Sequence, residues 1–321
     1  MKPRVYITRR IPEKALEIIA RRCEYRMWDR EDDPVPREVL ESEVGDVEGL
    51  FTLLTERVDE RLLDRAPKLK IVANMAVGFD NIDVAACARR GIVVTNTPGV
   101  LTETTADLAF ALMVAAARRV TEAERFLRDG KWKTWSPMLL CGVDIYGATL
   151  GIIGLGRIGQ AVARRARGFS MRVLYTSQRR DTGLEAELGV EWRDFDDLLR
   201  ESDFVSIHVP LTEKTRGMIG KRELSLMKPT AVLVNTSRGA VVREQDLIEA
   251  LRDRRIFAAG LDVFETEPLP KDSALLELDN VVLLPHIGSA SIATRAEMAV
   301  MAANNLVRVL HGEEPLNPVT V

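Results

Sequence analysis

The sequence predicts an α/β protein made of two doubly wound domains, each a parallel sheet wrapped by helices. Three observations lead there. Short β-branched runs alternate with helical stretches in both halves of the chain, 321 residues exceed what one compact core usually holds, and a hydrophobic content of 46% supplies two cores. A formal net charge of -3 and a pI of about 5.9 create no field that gathers nucleic acid or an anionic membrane surface, and the basic residues are scattered among acids. The opening MKPRVYITRR runs at once into a strand pattern. The longest apolar run, LAFALMVAAA, is bounded by Asp107 and Arg118 and is too short to cross a bilayer, so a cytoplasmic location is expected. Cys23, Cys87 and Cys141 are odd in number and lack metal-ligand spacing; they read as reduced packing residues, and no metal site is expected.

In the first hundred residues RVYIT, EGLFTLL, LKIVANMA and GIVVTN read as strands, being short, apolar and β-branched. Between them PEKALEIIARR, DERLLDRA and IDVAACARR carry apolar residues at helical spacing. The segment TETTADLAFALMVAAARRVTEAERFLRDG then reads as one long bridging helix, with Thr and Glu at its start and Gly130 after its end. A second alternation follows: strands ATLGIIG, MRVLYTS, FVSIHVP, AVLVNTS, IFAAGLDVF and NVVLLP, with helices GQAVARRARGF and EQDLIEALRDR among them. The last helix, SIATRAEMAVMAANNLVRVLHG, comes after the second sheet is complete and is expected to return to the first. The expected organisation is therefore a discontinuous domain, residues 1–99 with 288–321, and an inserted domain of residues 100–287.

Gly154, Gly156 and Gly159 form G-x-G-x-x-G directly after an apolar strand and directly before a helix. In that context the glycines permit a tight turn and a close approach of backbone to a pyrophosphate, with the N–H groups of Arg157 and Ile158 at a positive helix end. This makes the inserted domain a Rossmann unit. About 20 residues further on, where an acid commonly holds an NAD ribose, the chain reads Ser177, Gln178, Arg179, Arg180. Without a carboxylate there, and with two guanidiniums able to pair with a 2′-phosphate, NADP(H) is the preferred cofactor and NAD(H) a possible one.

A nicotinamide enzyme acting on a carbonyl acid needs a proton donor and a cation for the substrate carboxylate. Arg238, in NTSRGAVV, follows one apolar strand and His286, in LPHIGSAS, follows another. A third strand end carries Asp262, Glu265 and Glu267, and a carboxylate beside His286 would favour its charged form and fix its tautomer. Spacing leaves the choice among these acids open. His208, in VSIHVP, is expected to line the cofactor side of a strand end, and His311 to be a solvated residue after the last helix.

In order along the chain, NMAVGFDNID, GLGRIGQAVA, HVPLTEKTRGMI, VNTSRGAVV, AAGLDVFETEPLP and LPHIGSAS resemble the D-isomer-specific 2-hydroxyacid dehydrogenases over essentially the whole sequence. Within that family GKWKTWSPMLLCG and LYTSQRR are most similar to the glyoxylate/hydroxypyruvate reductases. The resemblance implies a Rossmann domain inserted into a flavodoxin-like substrate domain, with the site in the cleft and closure about the crossings near residues 99 and 287. It implies a catalytic trio of Arg238, Glu267 and His286. Leu53, Val77, Gly78 and Trp135 would contact substrate together with Arg238 and His286, Trp135 from a partner subunit of a homodimer. For the cofactor it implies Thr105, Leu155, Gly156, Arg157, Ile158, Ser177, Gln178, Arg179, Val209, Thr236, Ser237, Arg238, Asp262, His286 and Gly288.

The activity implied is NAD(P)H-dependent reduction of glyoxylate or hydroxypyruvate to glycolate or D-glycerate. D-lactate and 3-phosphoglycerate dehydrogenases share the trio and stand as alternatives. A cofactor-sensing module of the co-repressor kind is the alternative of another class.

Overall fold

A computed structural model of the chain describes residues 2–320. The chain forms two compact units, one reaching to Leu101 and resuming at Ser289, the other spanning Thr102–Gly288. In the first unit β1 (Arg4–Ile7), β2 (Glu24–Met27), β3 (Gly49–Thr52), β4 (Ile71–Asn74) and β5 (Val93–Thr95) form a parallel sheet in the order β2-β1-β3-β4-β5. That is the flavodoxin-like order. Every residue of β3 and β4 is buried, because helices cover both faces of a parallel sheet and leave no polar side to its inner strands. The last helix, Ile292–Leu310, packs on the helix Glu13–Arg22 and over β3 and β4. The approach is close: a Cβ on Gly49 would lie 2.9 Å from methyl groups of both Leu306 and Leu310.

In the second unit β6 (Thr149–Ile153), β7 (Arg172–Thr176), β8 (Val190–Trp192), β9 (Phe204–Ile207), β10 (Val232–Asn235), β11 (Ala258–Leu261) and β12 (Val281–Leu283) form a wholly parallel sheet. Its order is β12-β11-β10-β9-β6-β7-β8. The winding reverses between β6 and β9, and the crevice outside the carboxyl ends of strands at such a reversal is where open α/β sheets bind ligands.

Two strands escape the sequence pattern. β2 is an edge strand with mostly exposed residues and so lacks an apolar face, and β8 is a three-residue edge strand. The helices Thr182–Leu188, Phe195–Glu201 and Lys221–Leu226 are likewise too short to show a period. The expected single bridging helix is two, Thr102–Ala117 and Val120–Arg128, separated at Arg119, whose φ is 52°. Its cause is a competing bond. The carbonyl of Ala117 accepts from Val143 N–H at 3.0 Å, and the backbone of Gly142 lies so near that a Cβ would sit 2.0 Å from the same oxygen. Cys23 and Cys87 are buried as expected, whereas Cys141 is exposed on this returning segment and does not pack.

Candidate active site

Six loops leave the carboxyl edge of the seven-stranded sheet carrying the residues singled out in the sequence. Gly154 follows β6, Ser177 follows β7, Val209 follows β9, Thr236 to Arg238 follow β10, Asp262 follows β11 and His286 follows β12.

Asp262 is 1% exposed. Its two carboxylate oxygens accept the successive amides of Ile287 and Gly288, each at 2.7 Å, while its carbonyl accepts the amide of His286 at 3.0 Å. Three consecutive N–H groups are thereby gathered by one residue, and His286 takes a left-handed backbone with φ 53°. Burial pushes the Asp262 carboxyl up, against the two amides and the nearby imidazole. A Cβ on Gly288 would meet Asp262 at 3.1 Å and Thr105 at 3.5 Å, so these three expected cofactor positions adjoin.

The turned histidine presents Nδ1 to Oε2 of Glu267 at 2.7 Å. The other oxygen of Glu267 accepts the amide of Phe264 at 3.0 Å, which orients the carboxylate. Burial is the largest influence on Glu267 and acts upward, yet the bond and charge of His286, the Phe264 amide and the charge of Arg238 outweigh it and hold the carboxyl below its ordinary range. Of the three acids at this strand end, Glu267 is the one whose carboxylate meets the His286 ring. Glu265 instead accepts the amide of Glu244 at 3.0 Å and donates its own amide to the Glu244 carboxylate at 3.2 Å.

Arg238 is aimed by its own loop. Nη1 donates to the carbonyl of Ser237 at 2.8 Å, and Asn235 Nδ2 donates to the carbonyl of Arg238 at 2.9 Å. Asn235 Oδ1 accepts the amide and hydroxyl of Ser237, at 3.0 and 2.9 Å. Gly239 lets this loop press on the next one: a Cβ there would lie 1.8 Å from the carbonyl carbon of Phe264. Sequence reasoning passed over Asn235 and Glu244. The available signal was a polar residue closing the otherwise apolar strand VLVN.

Each motif glycine has a separate reason. Gly154 has φ 98°, and a Cβ would lie 2.9 Å from the His208 backbone and from Val209; a Cβ on Gly159 would lie 2.2 Å from the Gly154 oxygen. Gly156, the N-cap of the helix Arg157–Ala166, opens on free space. The first and third glycines thus serve packing, and the second leaves room for a phosphate group beside the helix end. Thr236 contributes a buried hydroxyl oxygen with no hydrogen-bond partner among the described residues. Leu155 is buried, while Arg157 is exposed and Ile158 partly exposed.

Around Ser177 the structure narrows one expectation. Arg180 is engaged by both oxygens of Glu185 at 2.8 and 2.9 Å and lies 5.8 Å from the Trp192 ring centre, so a 2′-phosphate would have to compete with Glu185 for it. Gln178 and Arg179 are exposed, and Ser177 donates to the carbonyl of Arg179 at 2.5 Å. The next acid, Asp181, caps the following helix through the amides of Gly183 and Leu184, both at 3.0 Å.

His208 bonds Ser206 at 2.8 Å, and burial lowers its pKa to about 4, so it is neutral. His311 is exposed at the end of the last helix. In the first unit Leu53 lies in the loop after β3, and Val77 and Gly78 in the loop after β4. Trp135 is 77% exposed on the segment after the helix Val120–Arg128. Among the described residues no His, Cys, Asp or Glu group is arranged to hold a metal ion, and no helix is long and apolar enough to cross a membrane. The glycine geometry gives a direct expectation: Gly156→Ala should keep the melting temperature and weaken nicotinamide dinucleotide binding at least tenfold, whereas Gly154→Ala and Gly159→Ala should lower the melting temperature. Thermal unfolding and fluorescence titration check both, and a destabilised Gly156→Ala with unchanged affinity contradicts the assignment.

Comparison with known proteins identifies the family. Residues 110–288 match the family described as D-isomer specific 2-hydroxyacid dehydrogenase, NAD binding domain. A glyoxylate reductase of Korarchaeum cryptofilum is 56% identical over 320 residues, 99% of this chain and 96% of that protein. One from Thermococcus litoralis is 53% identical over 323 residues, covering 99% and 97%. A crystal structure of a Thermus thermophilus protein aligns with TM-score 0.93 at 46% identity, covering 99% of this chain and 100% of that one. An NADPH-dependent glyoxylate/hydroxypyruvate reductase of Sinorhizobium meliloti, crystallised with NADP and malonate, aligns with TM-score 0.88 at 36% identity, covering 100% and 97%. With its two parallel sheets, its glycine motif and these relatives, the chain belongs to the D-isomer-specific 2-hydroxyacid dehydrogenases, NAD(P)-dependent oxidoreductases.

Proposed function

We propose that this enzyme reduces glyoxylate and hydroxypyruvate to glycolate and D-glycerate, with Arg238, Glu267 and His286 as its catalytic residues. The observation that carries the reading is the 2.7 Å contact between Glu267 and Nδ1 of His286 at the sheet edge that also bears Arg238. The reductases named above support the choice of substrate. A bound reduced nicotinamide supplies the hydride to the carbonyl carbon. Arg238 holds the carboxylate and carbonyl oxygen of the 2-oxo acid in the plane of its guanidinium. Because Nδ1 faces Glu267, Nε2 of His286 is the atom that gives its proton to the carbonyl oxygen as negative charge develops there. Glu267, held ionised at neutral pH, stabilises the imidazolium until that transfer. Leu53, Val77 and Gly78 complete the substrate contacts.

The cofactor would rest on Leu155, Gly156, Arg157 and Ile158 at the pyrophosphate and on Thr105, Val209, Thr236, Ser237, Asp262 and Gly288 toward the nicotinamide. Ser177, Gln178 and Arg179 would face the adenosine ribose. An exposed Arg179 and an Asp181 committed to a helix cap favour NADP(H) over NAD(H), though Glu185 competes for the second guanidinium, that of Arg180. A higher kcat/KM with NADH than with NADPH rejects that preference.

A cytoplasmic homodimer is part of the proposal. Every residue of the helix Val120–Arg128 is at least partly exposed, and Leu127, Trp132, Trp135, Met138 and Tyr146 present large apolar groups to solvent over this segment. Such a patch marks an interface. Trp135 would then enter the partner's substrate pocket. Sedimentation should give twice the chain mass, and Trp135→Ala should raise KM for the 2-oxo acid while the assembly persists; a monomer contradicts the proposal.

The function is tested by steady-state rates with a panel of 2-oxo acids and both nicotinamide cofactors. Glyoxylate and hydroxypyruvate should lead; tight NADPH binding without turnover of either would transfer the assignment to a cofactor-sensing module. His286→Ala should abolish reduction and leave cofactor affinity within about twofold, since removing a general acid costs ~10²-fold or more in rate. Glu267→Gln should lower kcat and leave cofactor affinity unchanged, because the carboxylate that faces Nδ1 and stabilises the charge on the ring is gone. An unchanged kcat removes Glu267 from the mechanism.

A further inference from the structure

One buried acid of the first unit has no part in this chemistry. Glu56 lies in the loop after β3 with its side chain 2% exposed. Oε2 accepts the amide of Leu53 and the hydroxyl of Thr8, both at 2.8 Å. Oε1 accepts the hydroxyl of Thr55 at 2.5 Å and faces Nη2 of Arg9 at 3.5 Å. Arg9 is anchored in turn, donating to the carbonyl of Glu31 at 3.1 Å and to the hydroxyl of Thr55 at 3.0 Å. An ion pair withdrawn from water is unfavourable unless its members are paired and fully bonded, so it adds little stability over an apolar filling. Its effect lies in what it orients.

That object is Leu53. Its amide is held by Glu56, and its carbonyl accepts Nδ2 of Asn81 at 3.0 Å, so both polar groups of this backbone are fixed by side chains. Asn81 Nδ2 also donates to the carbonyl of Glu56 at 2.9 Å, while the carbonyl of Asn81 accepts the amide of Val58 at 2.9 Å. Asn81 belongs to the same loop as Val77 and Gly78. There Asn96 Nδ2 donates to the carbonyl of Val77 and Asn74 Nδ2 to that of Gly78, both at 2.8 Å. The loops after β3 and β4 are therefore one hydrogen-bonded body, joined by Asn81 and closed at its far side by a buried charge.

We infer that Glu56, backed by Arg9 and Thr8, and Asn81 are positioning residues that lock the Leu53 loop to the Val77–Gly78 loop and so set which 2-oxo acid is accepted. The inference rests on the proposal that Leu53, Val77 and Gly78 contact substrate. Gln at position 56 keeps the shape but lacks the charge and one acceptor oxygen. Asn81→Ala removes the bridge without disturbing the ion pair and serves if Glu56→Gln does not fold.

The full chain is tested in two ways. In hydrogen-exchange mass spectrometry either variant should lose protection in both segments, residues 50–57 and 75–83; a loss confined to the mutated segment overturns the inference. In steady-state kinetics KM for glyoxylate should rise roughly tenfold, with kcat changed less than about threefold and NADPH affinity unchanged, as expected for one lost bond to a charged group. The hydroxypyruvate-to-glyoxylate ratio of kcat/KM should shift with it. If Glu56 acts through Leu53, adding Glu56→Gln to Leu53→Ala should raise KM little further; a full additional tenfold rise shows independent action and overturns the inference. A wild-type protein inert toward both acids would overturn the proposed function instead, and the exchange result alone would then decide the coupling.

Discussion

The site depends on one buried carboxylate. Asp262 gathers the amides of residues 286, 287 and 288 with its carbonyl and both side-chain oxygens, and this gathering is what turns the chain after β12. A left-handed backbone at a non-glycine residue such as His286 costs roughly 1–2 kcal/mol. Hydrogen bonds to a charged acceptor contribute about 1.5–3 kcal/mol each, so two of them at 2.7 Å offset that strain. The conformation of His286 is thus determined from beneath by a different acid from the one that faces its ring, and the imidazole is delivered to Glu267 already oriented. Under the proposed mechanism, preorganisation of this kind removes reorganisation from the proton transfer.

The same logic extends across the sheet edge. Adjacent parallel strands end near one another, so loops after β10, β11 and β12 bring Arg238, Glu267 and His286 together although they are far apart in sequence. Contact between the loops is direct where Gly239 meets Phe264, and reciprocal where Glu244 and Glu265 exchange carboxylate and amide. On the other side of the winding reversal, Gly154 and Gly159 let helix, strand and the β9 loop close up around the space left beside Gly156. Rigid backbone packing and an open space at a helix N-terminus are thus built from three residues of one type.

Much of this was legible in the sequence because buried parallel strands leave continuous apolar runs and because strand ends are marked by abrupt polarity, as at Asn235, Asp262 and His286. What escaped was governed by tertiary contact. β2 is a mostly exposed edge strand and β8 is only three residues long, so neither leaves a readable apolar run. The break at Arg119 is made by Val143, which lies well beyond the local window. The pairing of Arg180 with Glu185 and its approach to Trp192 are tertiary contacts that LYTSQRR does not foretell. Glu265 and Glu267 differ only in which group faces them, a matter of side-chain direction that spacing does not encode. Glu56 and Arg9 look like ordinary surface charges, since nothing in TERVDE or ITRR foretells burial.

The route of the chain has a consequence for its biosynthesis. The helix Ile292–Leu310, which covers β3 and β4, is translated only after the whole of Thr102–Gly288. During elongation the ribosome therefore holds a nascent five-stranded sheet with part of one face bare, while the inserted unit already has every strand it needs. The later segment can fold to completion first, and the earlier one is exposed to chaperones, and to aggregation, until the helix Ile292–Leu310 emerges.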